Sequence, residues 1–107
     1  EGLPASLHGE TFDAIVSTYA FHHILERQKA RRIRELMKAL KPGGTIVIGD
    51  ISFANKADKD YCEQTFSDLW DEQESYIVFE DLLAEIEDLK PCFKKISVCA
   101  GILTISI

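Results

Sequence analysis

Lys41-Pro42-Gly43-Gly44 constrains the fold of this chain most strongly, because no helix can run through it. Proline lacks the amide hydrogen a helix needs and collides with the preceding turn, while glycines reach backbone angles that other residues avoid. Just before the break, Ile33, Leu36, Met37 and Leu40 recur at i, i+3, i+4 and i+7, one apolar stripe along a helix. Just after it, Thr45-Ile46-Val47-Ile48-Gly49-Asp50 is a short apolar run that suits a buried strand. Upstream, Phe12-Asp13-Ala14-Ile15-Val16-Ser17-Thr18 is another, of the kind buried on both faces. Strand, helix and strand in this order predict a βαβ unit with parallel strands and a right-handed crossover.

Downstream, Cys62, Phe66, Leu69 and Trp70 carry a second helical pattern from Asn55 to about Glu74. Phe79, Leu82, Leu83, Ile86 and Leu89 carry a third, with Pro91 just past its end. Two strand-like runs follow, Phe93 to Cys99 and Ile102 to Ile107, and Ala100-Gly101 between them predicts a tight antiparallel hairpin. The expected order is β-α-β-α-α-β-β, an α/β sheet with a parallel start and an antiparallel finish, in one domain over residues 1–107. The first strand lacks a neighbour for its outer edge, and an unpaired apolar edge invites self-association. The pattern reads as half a sheet. The chain does not begin with Met and is expected to be a processed or incomplete piece.

Composition narrows the function. The 107 residues are 46% hydrophobic and 28% charged, ordinary for a globular domain, and no run approaches the ~20 apolar residues of a membrane helix. A net charge of −6 argues against nucleic-acid binding, which demands a basic surface. The run Arg27-Gln28-Lys29-Ala30-Arg31-Arg32 reads as the solvated face of a helix. Cys62, Cys92 and Cys99 are odd in number and not closely spaced, so reduced, buried thiols in a cytoplasmic protein are expected.

Phe12 to Ser17, then Ala20-Phe21-His22-His23-Ile24, a helix, Leu40-Lys41-Pro42-Gly43-Gly44 and the Ile-Val-Ile strand together resemble strands four to five of class I S-adenosylmethionine-dependent methyltransferases. The closing hairpin is similar to strands six and seven, and Glu1-Gly2-Leu3-Pro4 to the stretch before strand four. The resemblance implies a Rossmann-like sheet whose ligands bind beyond the carboxyl ends of the strands. It also implies that Ser17, Thr18, Tyr19, Ala20 and His22 pass alongside S-adenosylmethionine. The glycine-rich loop and the acidic residue that grip most of that cofactor have no counterpart in this sequence. The chain is thus expected to be the C-terminal part of the domain, binding the cofactor weakly or not at all alone.

Candidate catalytic residues follow from the rim. His22 and His23 leave the first strand and Asp50 leaves the second, so adjacent parallel strands bring them together. An imidazole there can take the proton of an oxygen or nitrogen acceptor, with Asp50 orienting it or accepting the proton itself. The bland alternative is that one histidine packs against the helix while the other lines the pocket. No metal is expected, since adjacent residues on an extended segment point apart and no other Cys or His sits at ligand spacing. His8 reads as an exposed loop residue. Tyr61, Phe66 and Trp70 form an aromatic lid or, more ordinarily, core, and Asp68, Asp71, Glu72 and Glu74 read as a solvated helix face.

The resemblance implies a parent enzyme that methylates a small molecule. A nicotinamide-binding Rossmann enzyme shares the βαβ pattern, but the His-His and Pro-Gly-Gly spacing and the closing hairpin speak against it. The remaining alternative is a non-enzymatic module that pairs its open sheet edge with another chain.

Overall fold

The computed structural model describes residues 10–71 and 74–106; the readings of Glu1–Pro4, His8, Glu72 and Ile107 lie outside them. The elements are β1 (Phe12–Thr18), α1 (Glu26–Met37), β2 (Leu40–Phe53), α2 (Lys56–Thr65), β3 (Ile77–Val78), α3 (Phe79–Ile86), β4 (Cys92–Ser97) and β5 (Ala100–Ser106). Short 3₁₀ turns lie at Phe21–His23, Ser67–Leu69 and Glu87–Leu89. The sheet runs β1-β2-β5-β4, with β3 joined to the far end of β2. β1 and β3 are parallel to β2, and β5 is antiparallel to both β2 and β4. The α/β class and the parallel start with an antiparallel finish are therefore as expected, with one added two-residue strand.

The Pro-Gly-Gly break does two jobs. Gly43 has φ 81°, in the left-handed region, and a Cβ on Gly44 would lie 2.9 Å from the Lys41 carbonyl and 3.0 Å from that of Asp13. The chain therefore bulges between the Phe12–Leu40 and Ala14–Thr45 pairs before regular pairing begins. β2 thus starts at Leu40, earlier than expected, and continues past Asp50 to Phe53 where β3 holds it.

Burial along β2 alternates: Ile46, Ile48 and Asp50 face the core and Thr45, Val47 and Gly49 are half-buried. The core joins these residues to Ile33 and Leu36 of α1, Leu82 and Ile86 of α3, and Leu103 and Ile105 of β5. The expectation of strands buried on both faces is corrected, most clearly on β1, where Val16 is 66% exposed. β1 has β2 as its only partner among the described residues.

Three further expectations fail for local reasons. α2 is capped by the Asn55 side chain, which accepts from the Asp58 amide, but it ends at Thr65, so Asp68, Asp71 and Glu74 share no face of it. Tyr61 and Phe66 are exposed rather than core, and Leu69 more so. The hairpin turns at Val98-Cys99, with Ala100 already paired to Ser97. Gly101 is small for another reason: a Cβ there would strike the Phe93 ring, which stacks on Phe79.

The cysteines are corrected too. Cys62 of α2 and Cys99 of the hairpin turn form a disulfide with Cα atoms 6.1 Å apart, while Cys92 is an exposed free thiol. Pairing removes the ground on which reduced thiols suggested a cytoplasmic compartment. No helix among the described residues is long and apolar enough to cross a membrane.

Candidate functional site

The site begins where β1 ends. Ser17 pairs with Ile48 and Thr18 with Gly49, after which Tyr19 takes a left-handed φ of 54°. That angle is uncommon for a bulky residue, and the Tyr19 amide is held there by the Gly49 carbonyl at 2.8 Å. The chain then leaves the sheet and winds into the Phe21–His23 turn, directly over the rim of β2. Ser17 is half-buried and Thr18, Tyr19 and Ala20 are exposed along this rim.

Asp50 is buried beneath the turn. One carboxylate oxygen accepts from the His22 amide at 2.9 Å, and the other faces His22 Nδ1 at 2.7 Å and accepts from the Ile51 amide at 2.7 Å. His22 Nε2 meets Glu74 Oε2 at 2.9 Å on its far side. His23 is exposed, with its ring centroid 4.2 Å from that of His22. The helical turn thus places adjacent imidazoles side by side, against the expectation that they point apart. The structure brings His22, His23 and Asp50 together as expected, next to Ser17–Ala20.

Two participants were not read from the sequence. Glu74 belonged to a supposed helix face. Lys29 belonged to a supposed solvated run, yet it is fully buried. Its ammonium donates to the carbonyls of Phe21, Ile24 and Ser75 at 2.7, 2.5 and 2.6 Å, matching its three protons. The Ser75 amide in turn donates to the His22 carbonyl at 2.9 Å. Lys29 therefore fastens the histidine turn to the segment that carries Glu74. Burial pushes the Lys29 ammonium down to about 8, against the opposing pull of Glu26 and Asp50. The signal was available: Lys29 lies four and seven residues before Ile33 and Leu36, on the apolar stripe itself.

Beyond Glu74 the rim opens into an apolar cavity of about 300 Å³. Ile51, Phe66, Leu69, Trp70 and Tyr76 line it, and the Cys62–Cys99 disulfide forms part of the wall. Of the three aromatic residues read as lid or core, Phe66 and Trp70 line this cavity and Tyr61 does not. The Tyr76 ring lies 6.3 Å from that of His22 and packs edge-on against Trp70. Burial pushes its hydroxyl above the usual tyrosine value, so it stays protonated at neutral pH.

Residues 2–48 match a family model described as a methyltransferase domain. Among curated relatives, an uncharacterized methyltransferase of Anoxybacillus flavithermus is 46% identical over 54 residues, 50% of this chain and 26% of that protein. The uncharacterized methyltransferase OB1106 of Oceanobacillus iheyensis is 37% identical over 87 residues, 78% of this chain and 39% of that protein. The chain thus spans between a quarter and two fifths of these relatives. In solved structures the fold is similar to an O-methyltransferase family protein of Burkholderia thailandensis, at TM-score 0.64 and 13% identity over 94% of this chain and 32% of that one. It is similar also to the N-methyltransferase NodS of Bradyrhizobium japonicum bound to S-adenosyl-L-homocysteine, at TM-score 0.54 and 18% identity over 92% of this chain and 47% of that one.

Proposed function

This chain belongs to the class I S-adenosylmethionine-dependent methyltransferase domain family, and from that premise we propose that the whole protein methylates a small, largely apolar molecule. The observation that supports this reading best is one rim shared by three features. The exposed Ser17–Ala20 segment, the His22–Asp50 pair and the apolar cavity behind Tyr76 adjoin each other there.

S-adenosylmethionine, when bound, supplies a methyl group on a sulfonium that a nucleophilic oxygen, nitrogen or carbon displaces in line. Ser17, Thr18, Tyr19, Ala20 and the His22 turn fit one wall of its site, since they are presented at the carboxyl rim rather than packed inside. Their fit is partial, because this sequence holds no glycine-rich loop after a strand to cradle the cofactor's other end. The isolated chain accordingly binds the cofactor weakly or not at all.

The chain's own residues act mainly by positioning. The cavity walls hold an apolar body, leaving its nucleophilic group at the polar rim. His22 is engaged by carboxylates at both nitrogens, so its role is to shape the rim rather than to contact the acceptor. His23 is the imidazole open to an acceptor, and general-base assistance of this kind is worth roughly 10²–10⁴ in rate. Asp50 orients His22.

The test uses the full-length protein. Calorimetry with S-adenosyl-L-homocysteine should show saturable binding, and S-adenosylmethionine turnover should appear with some member of a panel of phenols, amines and carbon acids. His23→Ala should lower kcat while leaving cofactor affinity unchanged. Failure of the full-length protein to bind S-adenosyl-L-homocysteine would end the methyltransferase reading, and an unchanged kcat would remove His23 as the base.

The exposed first strand supports a second reading, a module that recruits another chain along that edge. Its test belongs to the behaviour of the whole molecule.

A further inference from the structure

We infer that His22, His23 and Glu74 form a binding site for a divalent transition-metal ion of the zinc class. Each residue offers one ligand atom, and the three atoms lie within 4.8 Å of one another. In a tetrahedral site with ~2.0–2.1 Å bonds, ligand atoms stand roughly 3.3–3.4 Å apart. His22 Nε2 and Glu74 Oε2 are already 2.9 Å apart, and His23, being exposed, can rotate to close the remainder.

A second observation points to a cation independently of the clustering. Both nitrogens of His22 face carboxylate oxygens, Asp50 at 2.7 Å and Glu74 at 2.9 Å. A neutral imidazole has one N–H and one lone pair, so it satisfies one carboxylate and repels the other. The arrangement therefore calls for either a second proton or a metal ion at one nitrogen. An ion between Nε2 and Glu74 leaves Nδ1–H for the buried Asp50. That is the carboxylate–histidine–metal pattern by which proteins fix the orientation of a ligating ring. The Asp50 and Glu74 ion pairs among the described residues are both with His22, so an added cation also offsets their shared negative charge.

The donor set chooses the metal class. Two imidazoles and one carboxylate suit zinc and its neighbours, whereas calcium and magnesium take mainly oxygen. Three protein ligands leave a further coordination position for water or a ligand heteroatom. The inference does not depend on methyl transfer, and its test reads metal binding directly. A His23 nitrogen that ligates an ion cannot also take a proton, so the loaded and metal-free proteins would handle an acceptor differently.

The experiment titrates tag-free, full-length protein with zinc chloride against a chromophoric chelator and follows cobalt(II) absorption as a report on geometry. One zinc per chain is expected, with a tetrahedral cobalt spectrum. His23→Ala and Glu74→Gln should each weaken zinc binding by roughly tenfold or more, and Asp50→Asn by a comparable factor through the misdirected ring. Cys92→Ser should change nothing, which separates this site from the exposed thiol. His23 is exposed, so its variant keeps the fold, and circular dichroism monitors the others. Absence of stoichiometric zinc binding, or binding that survives both His23→Ala and Glu74→Gln, would overturn the inference.

Discussion

Lys29 shows how one residue can govern a site without touching a substrate. Its buried ammonium gathers the Phe21, Ile24 and Ser75 carbonyls from two segments distant in sequence. Lys29→Met would keep the stem's apolar packing but strand those carbonyls, each a buried acceptor whose loss costs about 1–3 kcal/mol. Partial rehydration limits the sum, so we expect denaturant titration to show a loss of about 3 kcal/mol, with the His22–Glu74 contact loosened. The pH dependence has a definite sign. Because the folded Lys29 value is lowered to about 8 from 10.5, the unfolded chain binds this proton more tightly between those values. Stability from this group therefore rises as pH climbs from about 8 toward 10.5, and below that window it contributes no slope. Denaturation of wild type and Lys29→Met across that range should show the gap between them widening with pH.

Elements carry the next level of control. The 3₁₀ turn at Phe21–His23 makes neighbours of two rings that an extended chain would separate, which is why the histidine pair was legible as a motif but not as a geometry. α2 was legible at its start, where Asn55 is an ordinary cap, and not at its end, where Phe66 to Trp70 leave the helix to wall a cavity. The Cys62–Cys99 disulfide fastens α2 to the hairpin turn and spans a sequence separation of 37. A loop of that size is worth about 3–4 kcal/mol in the chain-entropy account, and measured effects often fall below it. Reduction, or Cys62→Ser with Cys99→Ser, should lower stability by about 2–4 kcal/mol in denaturation curves taken with and without reductant. Ligands of the apolar cavity should bind more weakly under the same conditions, since its wall is then released.

At the largest scale, the sheet ends in an edge strand on each side among the described residues. Among the described residues β4 pairs only with β5 at one end, and β1 pairs only with β2 at the other and carries an exposed Val16. Open edges of this kind recruit other strands. The 107-residue chain is therefore expected to self-associate with rising concentration in sedimentation velocity, and Val16→Lys to reduce that association. A monomer at all concentrations would remove the edge-pairing reading. In the full-length protein, suppression of this association together with S-adenosyl-L-homocysteine binding would show that the edge is met by the protein's own chain.

The βαβ beginning, the break at Pro42-Gly43-Gly44 and the meeting of His22, His23 and Asp50 at one rim are written in the order of residues alone. Those features follow from local periodicity, from residues that forbid a helix, and from the rule that parallel strands end on the same side. That Glu74 reaches His22, that Cys62 meets Cys99 and that Lys29 is buried emerges from the folded chain, because each depends on segments remote in sequence. Charge and polarity describe a side chain in water. Whether it stays there depends on what the rest of the fold brings to meet it, and three well-placed carbonyls suffice to keep a lysine inside.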